Sequence, residues 1–255
     1  MTTPPLPRRL LAEYLGSALL AAIVIGSGIM ATTITPDVGV QLLINALATA
    51  MGLTVLILVF GPVGGAHFNP AVTLAIATLG DMRWRDAPAY VVAQIAGCAS
   101  GAILGNAMFA LPAVTISTTA RATGANLLAE VVAAAGLVLV ILALVRSNRL
   151  DWVAPAVGAY IGSAYFFTAS TSFANPAITI GRMLSDTFAG IAPASAPPFI
   201  AAQLLGAAIA VGLAVLLYPR TVIVVAETPG DPGEPGTLTD AAAHVEPETQ
   251  RSGAH

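Results

Sequence analysis

The chain has 255 residues, of which 56% are hydrophobic and only 9% are charged, with a mean hydropathy of +0.84. Soluble domains carry about a quarter charged residues, so this composition indicates an integral membrane protein in a lipid bilayer. Six of the 13 acidic residues lie in the last 29 residues, so the net charge of −3 mainly describes that end. The chain has no lysine and no basic run, which excludes nucleic acid as a partner.

Six apolar segments are long enough to cross a bilayer, at about 10–30, 42–60, 88–110, 126–146, 152–170 and 198–218. The first follows Arg8-Arg9, as a secretory or twin-arginine signal would, but it exceeds the roughly 7–15 residues of a signal peptide's apolar region, so we expect an uncleaved helix. Two further segments, at about 70–79 and 176–184, reach only about halfway across a roughly 30 Å hydrocarbon core. The sequence therefore predicts an all-α membrane protein with six spans and two half-spans.

Each half-span begins at the same tripeptide, Asn69-Pro70-Ala71 and Asn175-Pro176-Ala177. Asparagine is favoured at the N-cap of a helix and proline at its first position, so each tripeptide predicts a helix start that points backbone N–H groups and an amide forward. The alternative is a pair of ordinary helix caps. Because both copies lead half-spans at corresponding places in a repeat, we interpret them as a pore.

Three landmarks recur in the same order in the two halves of the chain. Leu10-Leu11-Ala12-Glu13 recurs as Leu127-Leu128-Ala129-Glu130 at an offset of 117, the tripeptide recurs at 106, and Ala93–Gly97 recurs as Ala202–Gly206 at 109. Since each half has three spans, the second half must enter the membrane from the opposite side. The sequence thus predicts an inverted repeat, with repeat 1 at about 10–110 and repeat 2 at about 126–218.

The arginines predict the orientation of this repeat. Seven fall on the side of the N-terminus and two on the other; the first group is Arg8, Arg9, Arg83, Arg85, Arg146, Arg149 and Arg220, the second Arg121 and Arg182. Both termini are therefore expected in the cytoplasm. Residues 1–9 form a cytoplasmic N-terminus, 10–220 the channel domain, and 221–255, rich in Pro, Gly, Ala and acids, a disordered cytoplasmic tail.

These features, together with the run Gly64–Thr73 around the first tripeptide, resemble the major intrinsic protein family, the aquaporins and aquaglyceroporins, over about residues 8–220. The resemblance implies an aquaporin-like hourglass fold, one pore per subunit, a homotetramer, and passive conduction of water or small uncharged solutes, here in a bacterial inner membrane. Two half-helix N-termini meeting at the midplane present positive dipole ends, which oppose cations including protons. The amides of Asn69 and Asn175 can donate to a passing oxygen.

The ionisable residues Glu13, Glu130 and His67 lie near the half-spans, and two roles are possible for each of them. Glu13 and Glu130 are the acids within the full-length spans, and they serve either as a proton relay or as acceptors for the turned backbone before each half-helix. Their symmetry and the lack of a basic neighbour favour acceptors. His67 either lines the pore, where its protonation would act as a gate, or packs and hydrogen-bonds within its loop.

The narrow outer filter departs from the family pattern. Most members have an arginine directly after the second tripeptide, where this chain has Ile178, so the filter should be less polar. The resemblance places Met51, Ser172 and either Tyr165 or Gly162 beside Ile178. Arg182, one helical turn further, is either a displaced filter cation or an arginine that snorkels to the outer interface. A filter without the arginine also resembles a bacterial aquaglyceroporin-like subgroup associated with arsenic resistance.

The sequence therefore predicts a passive channel for small uncharged solutes, such as glycerol-like polyols or metalloid hydroxides including arsenite, and for water. A strict water channel is the second hypothesis, and a proton-coupled secondary transporter that uses Glu13 and Glu130 is the third. The chain has no clustered Cys/His metal set, no serine-histidine-aspartate arrangement that we can place and no phosphate-binding glycine loop. No enzyme activity, metal or cofactor is expected.

Overall fold

A computed structural model describes residues 4–219; Arg220 and the predicted tail at 221–255 lie outside this range. The described part consists of helices and connecting segments and contains no strand. Its α-helices are α1 (Leu6–Ile34), α2 (Val38–Gly64), α3 (Pro70–Thr78), α4 (Ala87–Met108), α5 (Gly124–Arg146), α6 (Val153–Phe167), α7 (Pro176–Arg182) and α8 (Ala196–Leu217). Short 3₁₀ turns precede α4, α6 and α8.

The spans agree with the sequence prediction except at α6. Within residues 4–219, the helices α1, α2, α4, α5 and α8 are long and apolar enough to cross a membrane. The predicted span at 152–170 is shorter, because α6 has 15 residues and ends at Phe167. From Thr168 the chain is extended and turns into the loop that precedes α7, so the remaining length is used by that loop.

The helix contacts repeat in matching pairs. α1 packs on α4 as α5 packs on α8, and α7 contacts α4 as α3 contacts α8. Across the repeat, α2 contacts α6 and α3 contacts α7. This pattern is that of two structural repeats related by a pseudo-twofold axis, as the recurring landmarks predict.

Two glycines at corresponding places allow close contacts between these helices. A Cβ atom on Gly97 of α4 would lie 2.4 Å from the carbonyl oxygen of Tyr14, and one on Gly206 of α8 would lie 2.4 Å from that of Val131. Tyr14 and Val131 are themselves related by the offset of 117 residues. The small residue in each Ala-Gln-x-x-Gly landmark therefore lets α4 and α8 approach the backbone of α1 and α5.

The described part of the molecule has polar contacts at its two ends and an apolar outward surface between them. At the N-terminal face, where α1 and α4 begin and α2 ends, Arg9 pairs with Asp86 at 2.8 Å and Tyr90 donates to the Gly64 carbonyl. At the opposite face, the segment 109–123 hydrogen-bonds to residues 183–195. Between the faces, large apolar side chains are exposed on the outward surfaces, which suits a lipid solvent; examples are Leu58, Val92 and Leu216.

Candidate pore

A cavity of about 510 Å³ lies between the two repeats and contacts both half-helices. Its wall is mainly apolar, and the side chains that contribute most of it are Leu20, Val24, Leu53, Ile57, Val72, Ile76, Leu137, Ile141, Val157 and Ile161. The polar part of the wall comes from the loops before α3 and α7, from Asn69 and Asn175, and from the side chains of Thr49, Asp151, Tyr165 and Arg182. An apolar wall with a small number of polar groups is typical of a site that selects small neutral molecules.

The two half-helices begin at the tripeptides and meet at their N-termini. Asn69 caps α3 by accepting from the Ala71 N–H at 2.9 Å, and Asn175 caps α7 by accepting from the Ala177 and Ile178 N–H groups. Each amide also donates across the repeat, Asn69 Nδ2 to the Ala174 carbonyl and Asn175 Nδ2 to the Phe68 carbonyl, both at 2.8 Å. Each amide nitrogen carries a second N–H, which remains for a molecule in the cavity.

The loops that lead into α3 and α7 have matching left-handed backbone. Ala66 and Phe68 have φ values of 50° and 49°, and Ser172 and Ala174, each 106 residues later, have 52° and 48°. Such φ values cost a non-glycine residue roughly 1–2 kcal/mol each, so other contacts must hold these loops in place. The stretch 65–68 and Ser172 both line the cavity.

Glu13 holds the first loop. Its two carboxylate oxygens accept from the His67 N–H at 2.9 Å and the Phe68 N–H at 2.8 Å. Gln94 on α4 donates to the same carboxylate at 2.8 Å and to the Thr73 hydroxyl at 2.9 Å. Glu13 is fully buried. The groups that donate to it belong to the turned backbone and to Gln94, and none of them belongs to a path to solvent.

Glu130 holds the second loop in the same way. It accepts from the Phe173 and Ala174 N–H groups, both at 2.9 Å, and Gln203 on α8 donates to it at 2.6 Å and to the Thr179 hydroxyl at 2.9 Å. Ser170 adds a further hydrogen bond at 2.6 Å. Both glutamates therefore make the contacts that the acceptor reading requires.

His67 both lines the cavity and bonds within its own loop. Its Nδ1 lies 3.1 Å from the Thr73 hydroxyl, and its ring packs against Tyr90 with centroids 5.4 Å apart. His67 therefore combines the pore-lining position of the first reading with the hydrogen bond of the second.

The filter prediction is wrong for Met51. Its side chain is 62% exposed on the outward surface of α2, and Thr49 lines the cavity instead. Residues 49, 53 and 57 share one helix face, whereas residue 51 points about 160° away from residue 49. The alternative at Gly162 fails as well, because a Cβ there would contact Ala50 of α2 at 3.0 Å.

Tyr165, Ser172 and Ile178 all line the cavity. The Tyr165 hydroxyl lies 3.0 Å from that of Thr49, so this pair forms one polar edge of the wall. The Ser172 hydroxyl is buried and has no hydrogen-bond partner among residues 4–219. Ile178 adds an apolar side chain where the resemblance leads one to expect a cation.

Arg182 does not snorkel to an interface. Its side chain is buried, with 3% exposed, and it lines the cavity. Its guanidinium carbon lies 3.4 Å from the centroid of the Phe173 ring, and Nε donates to the Ala189 carbonyl. Arg121, from the segment before α5, lies 5.4 Å from the same ring centroid and donates to the Gly190 and Phe188 carbonyls. Burial lowers the pKa of the Arg121 guanidinium, and the charge of Glu130 opposes that shift.

Comparison with known proteins decides the family. A family model described as "Major intrinsic protein" matches residues 1–173. Aquaglyceroporin AqpS from Rhizobium meliloti (strain 1021) is 48% identical over 222 residues, which cover 86% of this chain and 94% of that protein. The chain belongs to the major intrinsic protein family.

Two further proteins are similar to this major intrinsic protein. A probable glycerol uptake facilitator protein from Thermotoga maritima is 30% identical over 166 residues, covering 59% of this chain and 70% of the relative. The X-ray structure of the aquaglyceroporin from Plasmodium falciparum superposes with a TM-score of 0.63 at 22% identity, over 84% of this chain and 96% of that one. This solved structure shows that the fold is shared, and the family is one of membrane channels.

Several residues that line the cavity of this major intrinsic protein or hold its loops could not be assigned a role from the sequence. Gln94 and Gln203 lie in the repeated Ala-Gln-x-x-Gly landmark, so their recurrence was visible but their bond to a glutamate was not. Thr49 could have been found from the phase of the apolar stripe on α2. Phe173 and Arg121 carried no signal, because the segments that bring them together are far apart in sequence. Within residues 4–219, no cluster of three metal-ligating side chains is found.

Proposed function

We propose that this major intrinsic protein is a passive channel for small uncharged solutes with several hydroxyl groups, and for water. The observation that carries the proposal is the cavity between the repeats, whose wall is mainly apolar and whose polar groups are the two Asn amides, the loop backbone, a few hydroxyls and the side chains of His67, Asp151 and Arg182. Ile178 in place of the usual arginine supports a filter that accepts a carbon skeleton as well as water. Glycerol-like polyols and neutral metalloid hydroxides such as arsenite share this chemistry.

A solute in such a pore makes two kinds of contact. Its apolar side lies against the aliphatic wall, and its hydroxyls exchange hydrogen bonds with the amides of Asn69 and Asn175 and with the loop backbone. Each asparagine retains one amide hydrogen after its bond across the repeat, so one oxygen can accept from both. A water oriented by two donors has no free lone pair with which to relay a proton, and the positive ends of α3 and α7 oppose cations.

The relatives support the same substrate class. The relative that is 48% identical is named an aquaglyceroporin, and another is named a probable glycerol uptake facilitator. Nothing in these comparisons supports proton coupling, and the carboxylates of Glu13 and Glu130 are occupied by backbone and side-chain N–H donors. A strict water channel stays the alternative, since the large side chains of Tyr165 and Arg182 both line the cavity.

We further propose a homotetramer in the bacterial inner membrane, with both termini in the cytoplasm, and no enzymatic activity. The excess of arginine at the N-terminal face supports the orientation. The exposed apolar surfaces of α1 and α2 support contact with lipid or with another subunit.

Stopped-flow light scattering of proteoliposomes tests the substrate class. Vesicles mixed with hyperosmotic glycerol should shrink as water leaves and then re-swell as glycerol enters, whereas with sorbitol they should shrink and stay small. Empty vesicles of the same lipid give the background for both solutes. Rapid shrinkage in glycerol with re-swelling no faster than that of empty vesicles would instead identify a strict water channel.

A further inference from the structure

We propose that Arg182 supplies the positive charge in the part of the cavity wall that lies toward the opposite face, and that with the Ser172 hydroxyl it forms the polar site that a solute meets there. This inference rests on the proposed function and names a specificity-determining residue for it. The position next to the second tripeptide, Ile178, carries no charge, and the arginine that lines the cavity lies one helical turn later on about the same face.

The direction of the side chain brings its charge back toward Ile178. Cα–Cβ bonds in a helix tilt toward the N-terminus, and the N-terminus of α7 lies at the centre of the cavity wall beside Asn69. The position of the guanidinium agrees, since its carbon lies 3.4 Å from the ring centroid of Phe173, two residues before the helix cap. The charge is therefore level with the loop before α7, although its Cα is about 6 Å beyond that of Ile178.

The guanidinium is fixed from two sides. Phe173 is a rigid platform, because its N–H is bonded to Glu130 and its ring packs edge-on against Phe199 with centroids 5.2 Å apart. Arg182 Nε donates to the Ala189 carbonyl, and Arg121 holds the carbonyls on either side of it, those of Phe188 and Gly190. A planar cation stacked on an aromatic face is a stable arrangement.

This anchoring leaves donors for a solute. Within residues 4–219, the guanidinium's hydrogen bond is made by Nε, so its two terminal nitrogens have no protein acceptor, and the Ser172 hydroxyl is likewise unpaired. Both residues line the cavity, and both are more than nine-tenths buried. A small neutral molecule with two or more oxygens can accept from the guanidinium and exchange a hydrogen bond with Ser172 while its apolar side contacts Ile178.

The Arg182 charge has no carboxylate in direct contact among the described residues. Ion pairs in the described part join Asp86 to Arg9, Arg83 and Arg85, and no described carboxylate lies within 4.0 Å of the Arg182 nitrogens. A fixed cation in a narrow pore repels sodium ions and protons, so Arg182 supplies the barrier that Ile178 lacks.

The test uses reconstituted full-length protein and two readouts, the rate of glycerol entry and the leak of Na⁺ and H⁺, each divided by the water permeability. Arg182→Gln should raise the cation leak at least about tenfold and lower glycerol entry several-fold. Arg182→Lys should keep cations out but slow glycerol, because it loses the planar fork. Ile178→Arg with Arg182→Gln should restore cation exclusion by placing the charge one turn deeper.

Arg85→Gln is the matched control, since it removes an exposed arginine outside the cavity and should change neither readout. A reconstituted Arg182→Gln protein with parental cation leak and parental glycerol entry would overturn the inference. Failure of all variants at 182 to reconstitute would also overturn it, because Arg182 would then serve to hold the Ala189 segment. If the parent itself excludes glycerol, the proposed function fails, while the cation leak still decides the role of Arg182.

Discussion

Asn69 and Asn175 are joined crosswise, each donating its amide N–H to the carbonyl of the residue that precedes the other, at 2.8 Å in both cases. The two half-helices are therefore held tip to tip by the same side chains that cap them. A pore built this way has its centre held by two reciprocal bonds, so a change at either asparagine acts on both halves.

The first prediction concerns that centre. Asn69→Asp removes the donor to the Ala174 carbonyl and places a carboxylate beside it, so the free energy of unfolding should fall by about 1–3 kcal/mol. The new negative charge should also weaken the exclusion of cations by the helix ends. Thermal unfolding in detergent and Na⁺ entry into proteoliposomes measure the two effects. The same substitution at the exposed Asn148 should change neither.

A second prediction concerns the buried glutamates. Glu130→Gln replaces one acceptor oxygen by an NH₂ group that faces backbone N–H donors, and the loss of one hydrogen bond to a charged group costs about 1.5–3 kcal/mol. Glu13→Gln should cost a similar amount, since its partners correspond. A thermal shift assay compares both variants with the parent. Parental melting temperatures for both would show that the carboxylates do not hold the loops.

The repeated glycines give a third prediction. Gly97→Val and Gly206→Val each place a side chain against a backbone carbonyl of the neighbouring helix, so each should destabilise the protein by roughly 1–3 kcal/mol. Gly212→Val, on the same helix as Gly206, is the control, because no atom lies within 4 Å of its Cβ position. Equal melting temperatures for the three variants would contradict the close helix contact.

The corrected filter position gives a fourth. Thr49→Val keeps the volume of the side chain but leaves the Tyr165 hydroxyl without its partner, so glycerol permeability should fall by a few-fold while the protein loses about 0.5–1.5 kcal/mol of stability. Met51→Ala, two residues along the same helix, should leave glycerol permeability unchanged. The opposite ranking of the two variants in a swelling assay would restore Met51 to the filter.

The sequence was sufficient to predict the architecture, because hydropathy, helix caps and an internal repeat together determine it. The starts of α3 and α7 follow from Asn-Pro at each, and the matching places of Glu13 and Glu130 favour a shared role as acceptors for the turned backbone. The sequence could not supply the rotation of a helix about its own axis or the distances between segments that are far apart in the chain. Which of Thr49, Ala50 and Met51 faces the cavity depends on the rotation of α2 about its axis. The shared contact of Arg121 and Arg182 with Phe173 depends on how three separate segments pack.

The dependence of glycerol flux on its gradient tests the claim of passive conduction most directly. Entry into proteoliposomes should rise in proportion to the glycerol difference, run equally in either direction, and stay the same when a protonophore collapses a pH gradient. A flux that saturates at low glycerol concentration and falls when the protonophore is added would contradict passive conduction and assign the protein to coupled transport.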